Sequence, residues 1–147
     1  MADPRKMSGL EFLTALKNGE IPPPAMAQTL GFVPSEMAHG TITFQATPTK
    51  AVLNPMGAVH GGWYGALLDT VMGCAVQTTL PPGRIYTTLE YKVNLTRAIP
   101  PGILAAAVGT VQHSGRSTAV AQGEIRGVED GKLYATGSTT CILMDAA

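Results

Sequence analysis

The chain has 147 residues, enough for one domain with its own core but not for two. Hydrophobic residues make up 45% of it and charged residues only 14%, which excludes the disordered class and suits a chain that hides part of its surface in an oligomer. Ten basic residues balance ten acidic ones, and a net charge of zero leaves no electrostatic footprint for nucleic acid.

The N-terminal stretch MADPRKMSGLEF lacks the apolar core of a secretion signal. No apolar run approaches the ~20 residues that span a bilayer, so a cytoplasmic protein with no membrane partner is expected. Ser8, with Glu11 three residues on and apolar residues at 10, 12, 13 and 16, predicts a capping box and a short helix ending at Gly19. Ile21 to Pro24 form a stiff connector, and AMAQTL after them fits one or two helical turns. From Gly31 the pattern alternates, and GFVPSEMAHG followed by TITFQATP predicts a hairpin. A long helix is predicted from Gly61 to about Leu80, because apolar residues recur at 63, 64, 67, 68, 71, 72, 75 and 76 before PPG stops it. Four strand-like segments follow, RIYTTLEYKVNLTR, ILAAAVGTVQH, TAVAQGEIRGV and LYATGSTTCILM, separated by IPPG, SGRS and EDGK. Turns this short predict an antiparallel meander. The sum is an α+β protein, one long helix packed on a five- or six-stranded antiparallel sheet.

Asp69 stands out. The long helix carries no polar stripe for it to belong to, since its other non-apolar positions before Gln77 are Thr70 and glycines. Burying an unpaired carboxylate costs several kcal/mol, so an acid there is expected at an interface, a cavity or a substrate. His60-Gly61-Gly62 leads the helix in. Glycines at a helix start let another molecule approach the exposed amides, where the positive end of the dipole favours an oxyanion. Asn54, in NPMGAVHGG, offers a neutral amide that could orient water or a carbonyl, although Asn54-Pro55 reads more simply as a turn. Gly61 and Asp69 are eight positions apart, about 12 Å along a helix axis. One carbonyl cannot touch both on the same chain, so a site shared across a dimer is expected, with two equivalent sites per pair.

Other motifs are weaker. No G-x-S-x-G occurs, which excludes a serine hydrolase of that type. His39, His60 and His113 are scattered without ligand spacing, so no metal or other cofactor is expected. Cys74 and Cys141 lie far apart and read as reduced, buried thiols. Trp63, Tyr64, Leu67, Leu68, Met56 and Met72 read as packing rather than as a ligand pocket.

The pattern N-P-x-G-x-x-H-G-G followed by A-L-x-D-x-x-x-G, on one long helix within an antiparallel sheet, resembles the hotdog fold. More narrowly it resembles the phenylacetate-degradation (PaaI-like) acyl-CoA thioesterases. The resemblance runs from about residue 26 to 144, which leaves residues 1–25 as an N-terminal helical extension to a hotdog domain over 26–147. It implies hydrolysis of acyl-CoA to free acid and CoA, with a dimer as the active unit and a tetramer as the common assembly. Asp69 would serve as general base or nucleophile, the Gly61 amide would polarise the thioester carbonyl, and His60 and Asn54 would position that carbonyl or the water. A hydroxyl on the following strand, Thr87 or Thr88 with Thr87 preferred, would assist the acid. Gly62, Thr88, Arg84, Gly115 and Arg116 would contact substrate, the two arginines and the Ser114-Gly115-Arg116 turn through the CoA phosphates. Two other functions share these features: a hotdog hydroxyacyl-CoA dehydratase or hydratase, and a non-catalytic acyl-CoA binding module.

Overall fold

The structure is a computed structural model and describes residues 3–147. Helix α1 (Gly9–Lys17) begins at the expected capping box: Ser8 Oγ accepts from the Glu11 amide, and Glu11 takes the Ser8 amide in return. Short helix α2 (Ala25–Leu30) follows the proline connector. Strands β1 (Val33–Ala38) and β2 (Thr41–Ala46) then form the expected hairpin, turned through His39 and Gly40 at φ +85°.

Helix α3 (Gly61–Gln77) is the axis of the molecule. It ends slightly before the expected Leu80. The hydroxyls of Thr78 and Thr79 take the carbonyls of Ala75 and Val76 and turn the chain before Pro81. Leu67, Leu68, Val71, Met72, Ala75 and Val76 have no exposed surface, and each large apolar side chain so buried stabilises the fold by about 1.5–3 kcal/mol. Trp63 and Tyr64 are buried beside them, so the helix does carry the core as its composition implies. Around it wrap β3 (Arg84–Leu95), β4 (Ala105–Ser114), β5 (Thr118–Gly127) and β6 (Leu133–Asp145). The six strands form one antiparallel sheet in the order β1-β2-β4-β5-β6-β3, which agrees with the expected long helix on a five- or six-stranded antiparallel sheet.

One expectation fails. β4, β5 and β6 make a meander, but β3 does not join it at β4. Both edges of β4 are taken, by β2 and β5, so β3 pairs with β6 at the far side of the sheet. The segment containing IPPG therefore crosses the open end of the sheet instead of closing a hairpin. Residues 96–104 span that gap, anchored by Ile99, only 1% exposed, whose amide donates to the Tyr64 hydroxyl at 2.8 Å. Gly102 donates to the Pro48 carbonyl at 2.9 Å further on.

The helix lies close to the sheet because three glycines are in register across β4, β5 and β6: Gly109, Gly123 and Gly137. A Cβ on Gly109 would stand 2.3 Å from the Val71 carbonyl oxygen, and one on Gly123 2.9 Å from Met72 Cγ. The first obstacle is backbone and cannot rotate away. Gly109→Ala is expected to destabilise the fold by about 1–3 kcal/mol through overpacking. Thermal denaturation should show Tm lowered by several degrees, and an unchanged Tm would mean that α3 has room to move.

Candidate active site

Asp69 lies in a seam between α3 and β3. Gly61, Gly65, Asp69 and Gly73 are spaced by four and form a single stripe along the helix. Opposite them, on the face of β3 turned to α3, stand Leu95, Tyr91, Thr88 and Tyr86. A Cβ on Gly61 would lie 3.2 Å from Leu95 Cδ1, one on Gly65 3.5 Å from the Tyr91 ring, and one on Gly73 2.7 Å from the Tyr86 ring and hydroxyl. The glycines let these side chains close on the helix, and Asp69 is the only side chain that the stripe itself projects.

Strand alternation alone would not place 86, 88, 91 and 95 on one face. A β-bulge between Thr88 and Glu90 shifts the alternation from even to odd numbers. Thr139 Oγ donates to the Glu90 carbonyl at 2.7 Å and holds the bulge. Thr88 thereby faces the helix, and its hydroxyl donates to Asp69 Oδ1 at 2.9 Å. Thr87 is exposed and, among the described residues, makes no hydrogen bond to Asp69, so of the two threonines it is Thr88 that meets the acid. Asp69 is half-buried and, among the described residues, has no ion-pair partner. Its second carboxylate oxygen has no hydrogen-bond partner among the described residues.

Cys74, Tyr86 and Cys141 lie close to Asp69 in the interior. Burial, reinforced by the Asp69 charge, pushes the Cys74 thiol up to about 12, although the residue keeps some exposed surface. Burial first, then the neighbouring Cys74 and Asp69, holds the Tyr86 phenol well above its ordinary range. Cys141, fully buried and paired across the strands with Thr88, is raised by the same cause.

At the other end of the stripe, His60 is the N-cap of α3. Its Nδ1 accepts from the Gly62 amide at 2.8 Å, which leaves the ring's Nε2 edge facing outward. Gly62's amide is therefore used inside the chain. The Gly61 amide has no acceptor among the described residues and sits exposed at the positive end of a 17-residue helix. Asn54 does not face this amide freely. Its Oδ1 accepts from Met56 and Ala58 at 3.0 and 3.1 Å, so the side chain organises the turn that delivers His60, and only its NH2 remains to be offered. Met56, expected as packing, is instead 91% exposed at the tip of that turn, because Asn54 holds the turn together without it.

The two candidate arginines lie beyond the C-terminal end of α3. Arg84 is engaged, donating to Asp145 Oδ1 at 2.9 Å and to the Arg116 carbonyl. Arg116 is exposed and, among the described residues, makes no ion pair. With Gly115 and Ser114 they border a shallow cleft, and Thr79 Oγ meets Ser114 Oγ at 3.0 Å to tie the β4–β5 turn to the helix end. Asp69, Thr88 and the helix N-terminus thus share one seam, while Arg84, Gly115 and Arg116 form a separate polar edge. The glycine stripe was legible only as the spacing G-x-x-x-G-x-x-x-D-x-x-x-G, and nothing in the sequence marked Tyr86. The bulge that aims Thr88 has no signature in the sequence.

A long helix wrapped by an antiparallel sheet in this strand order defines a hotdog protein. The Thioesterase superfamily model matches residues 56–134. The phenylacetic acid degradation-related protein of Ralstonia eutropha JMP134 is 34% identical, with a TM-score of 0.82 over 89% of this chain and 98% of that one. The PaaI protein of the E. coli phenylacetic acid degradation operon has the same fold at 23% identity, with a TM-score of 0.82 over 96% of this chain and 98% of that one. A hypothetical thioesterase of Streptococcus pneumoniae TIGR4 solved with coenzyme A shares the fold at 24% identity and a TM-score of 0.71, over 78% and 86% of the two chains. A search of curated proteins gives no significant match. The chain belongs to the thioesterase superfamily, as a PaaI-like hotdog protein, and is an enzyme of the thioesterase kind. No helix among the described residues is long and apolar enough to cross a membrane.

Proposed function

We propose that the protein hydrolyses acyl-CoA thioesters at sites completed by a second copy of the chain. The observation that carries this is the Asp69 carboxylate, held at one oxygen by Thr88 and open at the other, in an apolar seam. The open oxygen attacks the thioester carbonyl or takes a proton from the water that does. As the tetrahedral intermediate forms, the carbonyl oxygen gains negative charge and needs a fixed donor. The Gly61 amide, unused in its own chain and backed by the helix dipole, fits that need. The C–S bond then breaks and the CoA thiolate takes up a proton, from Asp69 where that residue has activated water; where Asp69 itself attacks, water then hydrolyses the acyl–Asp69 anhydride, which frees the acid and restores the carboxylate.

Gly61 and Asp69 of one chain are about 12 Å apart along α3, so the donor comes from the partner. Two-fold symmetry sharpens this reading. If residue 61 of one helix serves residue 69 of the other, the reverse also holds, and the helices run antiparallel with the axis at residue 65. That position is Gly65, under Tyr91. β3 supports the same pairing: its outer edge has no partner among the described residues, and Leu89, Tyr91 and Leu95 are 59, 47 and 53% exposed along it. A twelve-residue edge strand that exposes large apolar side chains invites another strand. Arg116, with Arg84 more firmly committed to Asp145, is the cation for the CoA phosphates. Coenzyme A bound to the S. pneumoniae protein of the same fold supports a CoA ligand.

The test is CoA release from a panel of acyl-CoAs, followed with a thiol reagent. The protein's own thiols should stay silent, because a Cys74 thiol pushed up to about 12 is protonated at assay pH and Cys141 is buried. Release from several acyl-CoAs supports the reading, whereas CoA binding without release points to a binding module. Within active protein, Thr88→Val keeps the shape and deletes the hydroxyl. Losing one hydrogen bond to a carboxylate is expected to lower kcat roughly 10- to 100-fold. Thr87→Val, on the outer face, is expected to change it less than about twofold, and equal effects would remove Thr88 from the mechanism.

A further inference from the structure

Below Asp69, Tyr86 packs into the seam against the helix. Tyr86 stands on the same face of β3 as Thr88 and leans on Gly73, one helical turn beyond Asp69 and about 6 Å along the axis. Nothing larger than glycine fits at 73 with the ring in place, since a Cβ there would meet it at 2.7 Å. Tyr86 also lines a mainly apolar cleft of about 280 Å³ between α1, the end of α3 and the start of β3, with Arg5, Gln77 and Arg84 among its polar lining. Met7, Phe12, Leu80 and Ile85 form its remaining apolar wall. The cleft is firmly built. Gly9 donates to the Leu80 carbonyl at 2.9 Å, and a Cβ on Gly9 would overlap the Gln77 carbonyl, so α1 is locked against the end of α3.

From this shared wall we propose that Tyr86 sets the upper length of the acyl group by separating the Asp69 seam from the apolar cleft behind it. The proposal rests on the acyl-CoA reading above. With Tyr86 in place, an acyl group attacked at Asp69 is confined to the seam, which favours short or compact groups. With the ring removed, the seam runs on into the cleft, where a hydrocarbon tail finds apolar walls instead of water. The N-terminal segment, outside the matched family region of 56–134, thereby acquires a part in selectivity, because it supplies Met7 and Phe12.

The experiment compares kcat/KM for butyryl-, phenylacetyl-, octanoyl- and dodecanoyl-CoA in the parent protein, Tyr86→Ala and Tyr86→Phe. Tyr86→Ala is expected to raise the octanoyl-to-butyryl ratio by roughly tenfold or more, the scale on which apolar pockets discriminate methylenes. Tyr86→Phe keeps the ring and should keep the parent ratio. Filling the cleft by adding Phe12→Trp to Tyr86→Ala should return the ratio toward the parent value. If Tyr86→Ala does not fold, Tyr86→Leu opens the same wall and carries the same expectation. An unchanged ratio in a folded, active Tyr86→Ala or Tyr86→Leu protein overturns the proposal. A parent protein that releases CoA from no substrate would instead overturn the hydrolysis reading on which it rests.

Discussion

Asp69→Asn is expected to lower kcat for acyl-CoA hydrolysis by roughly 10²- to 10⁴-fold, the usual contribution of a positioned acid–base group. The substitution is close to isosteric, and the new amide oxygen can still accept from Thr88, so the seam keeps its shape. What disappears is a negative charge that is half-buried with no cation beside it among the described residues. Such a charge costs folding free energy, so Tm of the variant should equal or exceed that of the parent. The pair of measurements matters more than either alone. Low activity with lowered Tm would indicate a damaged fold, whereas low activity with retained or raised Tm marks Asp69 as a residue kept for chemistry. A variant that still hydrolyses at the parent rate would remove Asp69 from the reaction.

The same residue explains how much was legible in the sequence. Asp69 stands out because its helix is otherwise apolar, and periodicity of 3.6 is the most robust signal a sequence carries. The capping box of α1, the β1–β2 hairpin and the β4–β5–β6 run were readable for similar reasons, since each depends on residues a few positions apart. The position of β3 was not. Short-turn reasoning placed it beside β4, because IPPG looks like a hairpin turn. The decisive fact was non-local: β2 already occupies that edge of β4, and residues 96–104 are long enough to cross. The preference for Thr87 over Thr88 failed for a related reason. Adjacent strand residues point to opposite faces, and which face is inward depends on register with β6 and on the bulge at Leu89, neither of which is written in YTTLEY. Asn54 shows the opposite case. Asn-Pro read as a turn from local chemistry, and its oxygen does hold the turn.

Gly61→Pro, combined with Asp69→Asn, provides the sharpest test of the shared site. Proline is suited to the first position of a helix, where its missing N–H deletes no intrahelical bond. His60, at φ −61° and ψ 137°, already has the extended backbone that a following proline requires. The cap from Gly62 to His60 Nδ1 is untouched, and the nearest obstacle to an added Cβ is the flexible end of Leu95 at 3.2 Å. Gly61→Pro should therefore fold and lose one donor. Removing a single oxyanion donor is expected to lower kcat roughly 10²- to 10³-fold. Each single variant alone forms dimers in which both sites are defective. Mixed dimers differ: the site that takes its amide from the Asp69→Asn chain and its carboxylate from the Gly61→Pro chain is intact, while the other site lacks both groups. Unfolding and refolding an equal mixture makes about half of the dimers mixed, each with one working site of two, so activity should recover to about a quarter of the parent value. If amide and carboxylate came from the same chain, every dimer in the mixture would remain defective at both sites, and no recovery would occur.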